Sequence, residues 1–342
     1  MNEVTVAIPH SHAYKWLQIS CHSLLEHDPG VPCQYVIVDN YLAVPWSVDV
    51  MDTHTEMFSV FQNDLENRFH GSALDYALRR VNTPYFFAME TDVRILRDGW
   101  ARWYIDQMDG QGMAGFYWTE DHTREYINPS ATMYKTPALK DFDAQCQADD
   151  SDHLWYREGD DWKSVSVSER NLGFFNWGNG AFSDKRGFGG VMGQDTGRHQ
   201  PGWYEPGQML FYWMQENHSA LGVPHVHEYI RSGLAAGTWY GDSKEAAYCR
   251  HYWGGTSAHN IDKHSTAGES INRWIPWWLE REHRVWCEVV PEEFRQHASE
   301  VMLRHKAELD PEVVPRAEAL GVGWYYDYRW EPREPHGEPP EG

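Results

Sequence analysis

The sequence has little of three things that would place it in other classes of protein. Its five cysteines are scattered and form no Cys-x-x-Cys pair, which argues against a zinc knuckle and against a complete disulfide framework. No apolar run reaches the length of a membrane span, and no apolar leader opens the chain. Basic residues are also scarce, with 29 Lys and Arg against 51 Asp and Glu.

The resulting formal net charge of −22 limits the partners of this 342-residue chain. So acidic a protein repels the phosphates of nucleic acids and anionic lipid, which argues against both as its main partner. Dispersed cysteines and the lack of a leader lead us to expect a cytoplasmic protein. Aromatic residues are abundant instead, with 18 Trp and 19 Tyr. Most should be core, and one or two are expected to stack on sugar rings.

Short apolar runs alternate with helical patterns in the first hundred residues. Runs at 4–9 and 35–38 are typical of strands, and the segment 14–25 between them places Trp16, Leu17 and Leu24 on one helical face. A strand–helix–strand unit implies a parallel pair with a right-handed crossover. Further strands are predicted at 57–61 and 85–89, and helices at 72–80 and 98–108. The predicted fold is therefore α/β, with a mainly parallel sheet flanked by helices.

The pattern is weaker after residue 112. It predicts strands at 113–118, 131–134 and 223–229, and helices at 207–217 and 291–306. The stretch 145–202 has no clear period and is rich in Gly, Asp, Ser and aromatics, which predicts long loops over one face of the sheet. We interpret 1–260 as the main domain, 261–330 as a helical, Trp-rich extension and 331–342 as a disordered tail.

Glu90, Thr91 and Asp92 directly follow the predicted strand at 85–89. Two acids one residue apart at the carboxyl edge of a parallel sheet place hard oxygen ligands where a divalent cation and phosphates can meet. Asp39, at the end of the second predicted strand, reaches the same edge. A solvated turn is the alternative for both positions, because Asp and Glu commonly close strands.

In order and spacing, these pieces resemble the GT-A glycosyltransferases, and within them the large family of inverting transferases that use nucleotide-diphosphate sugars. The resemblance rests on Val-Ala-Ile-Pro at 6–9, Val-Ile-Val-Asp-Asn at 36–40, the stretch 67–75, and Phe-Phe-Ala-Met-Glu-Thr-Asp-Val at 86–93. It implies a nucleoside contact from Asp39 and a D-x-D-like motif in which Asp92 binds Mn²⁺ or Mg²⁺ and Glu90 assists. The sequence departs from the motif at Glu90, where the family has Asp.

The resemblance also implies the rest of the donor site. His251, followed by Gly-Gly-Thr-Ser at 254–257, matches the family's late metal-binding His. The competing metal site is His225 with His227, which share one face of a predicted strand. The stretch 67–72 would face an anion at a helix start, or would simply be a helix start capped by Ser72. A UDP- or GDP-type sugar would contact Pro9, Asp39, Asn67, Gly71, Asp75, Glu90 and Thr91.

An inverting transfer needs a carboxylate that deprotonates the acceptor hydroxyl opposite the leaving diphosphate. The resemblance places this base at the start of a late helix, where Glu205 fits, and Asp195 is the alternative. The acceptor, a glycan, a protein or a small molecule, is expected over the aromatic stretch 155–204. Two other functions stay open: a nucleotidyltransferase on a similar sheet, and a degenerate, lectin-like glycan-binding protein. The first would normally carry a glycine-rich loop where this chain has His-Ser-His-Ala-Tyr at 10–14.

Overall fold

A computed structural model describes residues 2–10, 13–39, 57–62, 70–120, 124–141, 153–158, 161–166, 208–228, 237–253, 275–309 and 329. The strands in these ranges are β1 Val4–His10, β2 Cys33–Asp39, β3 Phe58–Gln62, β4 Tyr85–Met89, β5 Val93–Ile95, β6 Met113–Glu120, β7 Arg124–Lys135, β8 His153–Glu158, β9 Asp161–Ser166, β10 Ala220–Gly222, β11 His225–Glu228, β12 Gly237–Tyr240 and β13 Cys249–His251. The helices are α1 Tyr14–Glu26, α2 His70–Leu78, α3 Trp100–Met108, α4 Gln208–Asn217, α5 Ile275–Val289 and α6 Glu292–Leu309.

The main sheet has seven strands in the order β10-β6-β7-β4-β1-β2-β3. The pairs β4–β1, β1–β2, β2–β3 and β10–β6 are parallel, and β7 runs antiparallel to both β4 and β6. This arrangement confirms the predicted α/β class with a mainly parallel sheet. The carboxyl ends of β1, β2 and β4 therefore meet at one edge, as the strand–helix–strand pattern predicts.

Helices cover both faces of this sheet because its central strands are apolar on both sides. All seven residues of β1 are buried. Val4, Val6 and Ile8 pack on the face that also holds apolar residues of α1, α3, α5 and α6. Ala7 packs on the opposite face, with apolar residues of α2 and α4. Successive side chains of β1 point to opposite faces of the sheet, so they pack into two different hydrophobic cores. Because both faces are buried, consecutive residues of the strand are apolar.

A second sheet, antiparallel and four-stranded, has the order β11-β12-β13-β5. Its strands β5 and β13 have three residues each, and their register pairs His251 with Val93. Sequence patterns did not predict β5, β12 or β13, because strands this short carry no measurable period. This sheet continues directly from the end of β4, so it carries the chain past the carboxyl edge of the main sheet.

Two other predictions are corrected by the structure. The stretch 145–202, predicted as long loops, contains the antiparallel hairpin of β8 and β9. Helix α2 already includes His70, Gly71 and Ser72, so the predicted helix start at Ser72 is wrong and the helix begins earlier in the chain. The predicted domain boundary at 260 and the tail at 331–342 lie outside the described residues and stay predictions. None of the described helices is both long and apolar enough to cross a membrane.

Helix α5 packs against α1 through buried polar contacts. The N-cap residue of α1, Ala13, offers no side-chain hydrogen bond to the first turn. Glu282 of α5 accepts one instead, from the Trp16 backbone N–H to Oε1 at 3.2 Å, and its side chain is fully buried. Lys15 Nζ lies 2.8 Å from His283 Nδ1. A carboxylate at a helix N-terminus is favoured by the exposed N–H groups and by the helix dipole.

We expect the Glu282→Ala variant to lose about 1–3 kcal/mol of unfolding free energy, because a buried N–H of α1 loses its acceptor. Urea denaturation of the variant and the wild type measures this loss. The matched control is Glu26→Ala, at an exposed position in the last turn of α1, which should change stability by no more than about 0.5 kcal/mol. Equal stability of the two variants would contradict the capping role of Glu282.

Candidate metal centre

The Glu90–Thr91–Asp92 segment forms a tight turn between the main sheet and the second sheet. The Val93 N–H donates to the Glu90 carbonyl at 3.1 Å and closes the turn. The Glu90 N–H donates to the Ser130 carbonyl of β7 at 2.7 Å. Glu90 therefore leaves β4 at its carboxyl end with both its backbone N–H and its carbonyl hydrogen-bonded.

Helix α1 holds this turn from behind. The Ser20 hydroxyl lies within hydrogen-bonding reach of the Thr91 and Val93 carbonyls, the second at 2.6 Å. One turn later, the Ser23 hydroxyl accepts from the Ile95 N–H at 3.0 Å. Two small hydroxyl side chains on one face of α1 thus fix the backbone on both sides of Asp92. Neither serine was singled out from the sequence, because their role depends on contacts with a distant strand.

His251 brings an imidazole to the two acids. Its Nε2 lies 3.0 Å from Oε2 of Glu90 and 3.3 Å from Oδ1 of Asp92. The side chains of Asp92 and His251 are 2% and 3% exposed, whereas that of Glu90 is 25% exposed. The cluster is therefore closed on the Asp92 side and accessible to solvent past Glu90.

The two acids determine the charge of His251. Burial lowers the pKa of His251, but attraction and hydrogen bonding by Asp92 and Glu90 outweigh burial and raise it from 6.5 to about 9. The imidazole of the metal-free protein is therefore protonated at neutral pH and bridges the two carboxylates. A cation that bound Nε2 would replace this proton.

The donor set fits a divalent cation. One ligand atom from each of Glu90, Asp92 and His251 lies within 4.8 Å of the other two. Among the described residues, no other three His, Cys, Asp or Glu residues are placed as closely. Carboxylate oxygens suit Mg²⁺ and Mn²⁺, and the imidazole nitrogen favours the transition metal of the two. A cation that displaces the imidazole proton would also supply the positive charge that the buried Asp92 carboxylate needs.

Among the described residues, His225 and His227 do not belong to a group of three His, Cys, Asp or Glu residues that could hold a metal ion. His225 is exposed on β11, and His227 lies half-buried two residues later. The His227 ring makes contacts with Phe116 and Trp253, and its Nδ1 is 2.8 Å from the Thr238 hydroxyl. Burial lowers the pKa of His227, and repulsion from the nearby His225 and His251 lowers it further. His227 therefore belongs, with Phe116 and Trp253, to an aromatic wall beside the metal centre, since the Trp253 ring lies tilted against the His251 ring, with 4.6 Å between the ring centroids.

Asp39 ends β2 at the same sheet edge and is fully buried. Its partner in register is His10, the last residue of the central strand β1, which is also buried. Because β1 lies between β2 and β4, Asp39 and Glu90 are separated by two strand spacings, about 10 Å. His10 was not predicted as a site residue, although it directly follows the first predicted strand in the sequence.

The remaining predicted site residues divide into two groups. Pro9 lies in β1 next to His10, Thr91 is buried in the acidic turn, and Gly71 and Asp75 lie in α2. Both candidate bases, Glu205 and Asp195, and also Asn67, lie outside the described residues. Their roles stay predictions.

A buried arginine beside the cluster was also missed. Arg281 of α5 donates from Nη2 to the carbonyl of Trp253 at 2.6 Å, two residues after His251. Burial lowers the pKa of Arg281 to about 10, against the attraction of Asp92. No local motif marks this residue, because its contact with the site is made entirely through the tertiary structure.

Fold and site together define an α/β protein with an acidic, histidine-bearing candidate metal centre at the carboxyl edge of its main sheet. No protein-family model matches the chain, and no curated protein matches it. Solved structures do match. TarS 1-349 from S. aureus aligns with 11% identity over 95% of this chain and 80% of that chain, at a TM-score of 0.41. In its complex with UDP, the same protein aligns with 18% identity over 41% of this chain, at a TM-score of 0.32.

Two further matches are a mannosyltransferase and a synthetase. The mannosyltransferase PcManGT from Pyrobaculum calidifontis, in complex with GDP-Man and Mn²⁺, aligns with 12% identity over 96% of this chain and 82% of that chain, at a TM-score of 0.41. A CMP:2-keto-3-deoxy-manno-octonic acid synthetase complexed with CTP aligns with 10% identity over 42% of this chain and 78% of that chain, at a TM-score of 0.31. The chain spans 49% of the length of the TarS chain in complex with UDP. At these identities and TM-scores, the likeness carries no conclusion about function.

Proposed function

We propose that this protein is a metal-dependent glycosyltransferase of the GT-A type, which transfers a sugar from a nucleotide-diphosphate sugar to a hydroxyl group with inversion. The observation that carries the proposal is the convergence of Glu90, Asp92 and His251 at the carboxyl edge of a mainly parallel sheet. In open α/β sheets this edge is where phosphorylated ligands bind.

A divalent cation held by Glu90, Asp92 and His251 would neutralise charge on the diphosphate as it leaves. Asp39 is proposed to accept hydrogen bonds from the nucleoside, because its buried carboxylate lies at the same edge about two strand spacings away. Glu90 is the most exposed of the three metal-centre residues, so the diphosphate would enter from its side. The base that deprotonates the acceptor is proposed to be Glu205, with Asp195 as the alternative.

The acceptor is proposed to be a glycan, a protein side chain or a small molecule. The net charge of −22 disfavours a nucleic acid in this role. Trp253, His227 and Phe116 form an aromatic wall next to His251, and a wall of this kind suits the C–H face of a sugar ring. A cytoplasmic location is proposed with the function, on the ground of the five dispersed cysteines.

The test is a panel of UDP-, GDP-, dTDP- and CMP-sugars with Mn²⁺, with Mg²⁺ and with EDTA, read by thermal shift and by release of sugar. One nucleotide class should raise the melting temperature by about 5 °C at saturating concentration, only with metal, and should be hydrolysed slowly. Condensation of a nucleoside triphosphate with a sugar phosphate would favour the nucleotidyltransferase instead. If no nucleotide stabilises the protein in any condition, the transferase proposal is wrong.

A further inference from the structure

Arg281 is a buried cation on helix α5 that reaches the backbone of the candidate metal centre. Its side chain is almost fully buried, with 3% of the residue exposed. Nη2 lies 2.6 Å from the carbonyl oxygen of Trp253 and 3.5 Å from that of Tyr252. A planar guanidinium offers several donors in a rigid arrangement, so it can bind two neighbouring carbonyls at once.

These carbonyls belong to the two residues that directly follow His251. On the other side of the same segment, the Tyr252 N–H donates to the carbonyl of Asp92 at 2.8 Å. The segment is therefore bound from one side by the turn that carries the acids and from the other side by α5. A shift of the 252–253 backbone would move the His251 ring relative to Glu90 and Asp92, because His251 is its immediate neighbour in the chain.

Helix α5 is bound to α1 by side-chain hydrogen bonds, so the position of Arg281 is fixed by the packing of the two helices. The next residue, Glu282, binds the Trp16 N–H of α1, and Trp286 Nε1 donates to Gln18 Oε1 at 2.7 Å. The Tyr252 ring packs between these elements, 4.9 Å from the Trp16 ring and 5.8 Å from the Arg281 guanidinium. The contacts of α5 therefore connect α1, the 252–253 segment and the acidic turn in one packed unit.

A buried guanidinium is costly unless carbonyls and carboxylates compensate its charge. Here the compensation comes from the Tyr252 and Trp253 carbonyls and from the negative potential of Asp92. An apolar side chain of similar length would pack the same space without that desolvation cost. The charge at this position is therefore better explained by the site it contacts than by the stability of the helix interface.

We infer that Arg281 is a positioning residue for the metal centre, which holds His251 against Glu90 and Asp92 through the backbone of Tyr252 and Trp253. The inference rests on the proposed function and deepens it, because it makes α5 part of the site. Arg281 contacts no substrate in this role. It determines how well the three ligands are placed before a cation arrives.

The test measures Mn²⁺ alone, without nucleotide, by electron paramagnetic resonance of the unbound ion. Arg281→Met keeps the length and apolar stem of the side chain but removes all its hydrogen-bond donors. Arg281→Lys keeps the positive charge but lacks the planar set of N–H donors of a guanidinium. The control is Arg284→Met on the same helix, whose guanidinium binds Glu280 at 2.7 Å. Urea denaturation of each variant separates loss of fold from loss of metal affinity.

We expect Arg281→Met to weaken Mn²⁺ binding by about 10-fold to 100-fold, as loss of an outer partner of a metal ligand does, and Arg284→Met to leave it unchanged. Arg281→Lys should lie between Arg281→Met and the wild type, and it decides the question if Arg281→Met does not fold. Wild-type Mn²⁺ affinity in both folded Arg281 variants would overturn the inference and leave the proposed function intact. Absence of Mn²⁺ binding in the wild type would overturn the inference, because the three ligands would then not be placed before nucleotide binds, and the proposed function would be decided by the nucleotide-sugar panel alone.

Discussion

Replacement of Asp92 by Asn should abolish the metal-dependent binding of nucleotide sugars and lower donor hydrolysis by roughly 100-fold or more. Asn has almost the same shape as Asp, so the packing around the 1%-exposed residue is kept. It removes the negative charge, however, and an amide oxygen is a much weaker ligand than a carboxylate for a hard divalent cation. The change therefore isolates the charge of the most buried carboxylate in the metal centre.

The measurement is the melting temperature with and without Mn²⁺ and the stabilising nucleotide, together with the rate of sugar release. Asp106→Asn is the matched control, because Asp106 is an exposed acid on α3 away from the metal centre. It should behave as the wild type in both assays. Unchanged metal-dependent binding in Asp92→Asn would mean that the acidic turn is only a structural turn, and that the cation, if one is needed, binds elsewhere.

The metal-free protein should lose about 3 kcal/mol of unfolding free energy as the pH rises from 6.5 to above 9. The reason is the pKa of His251, which Asp92 and Glu90 raise from 6.5 to about 9 in spite of burial. A group whose pKa is higher in the folded state binds its proton more tightly there. Its stabilising contribution is therefore complete below pH 6.5, and it is lost as the pH passes through 9.

Urea denaturation at a series of pH values in EDTA tests this expectation. His251→Gln removes the titrating group, so its stability should vary much less across the same pH interval. His225→Gln, at an exposed position on β11, is the control and should keep the pH dependence of the wild type. An identical pH profile in the wild type and in His251→Gln would show that the two acids do not raise the pKa of His251.

Much of the fold was predictable because its signals are local. The apolar runs of β1, β2 and β4 and the amphipathic pattern of α1 are each contained in fewer than fifteen residues, and the structure confirms them within one or two residues at each end. The hairpin of β8 and β9 and the short strands β5, β12 and β13 were missed. Strands of three or four residues are selected by their pairing partners, and a single sequence does not contain that information.

The site was predictable in the same uneven way. The acids of the turn were found because they directly follow an apolar strand, and Asp39 was found by the same rule. His251 was proposed from a family resemblance, and no period or spacing pointed to it independently. Ser20 and Arg281 gave no signal at all, since a serine in one helix and an arginine in another are ordinary surface residues until their partners are known.

The amino-acid sequence by itself determined the α/β class, the parallel order of the first strands and the placement of Asp39, Glu90 and Asp92 at one sheet edge. These follow from side-chain periodicity and from the geometry of a strand–helix–strand unit, which act over short stretches of chain. Only the tertiary structure decided that His251 meets the two acids and that Arg281 supports it. Those contacts depend on the pairing of β13 with β5 and the packing of α5 on α1, where shape and buried charge select partners from distant parts of the chain.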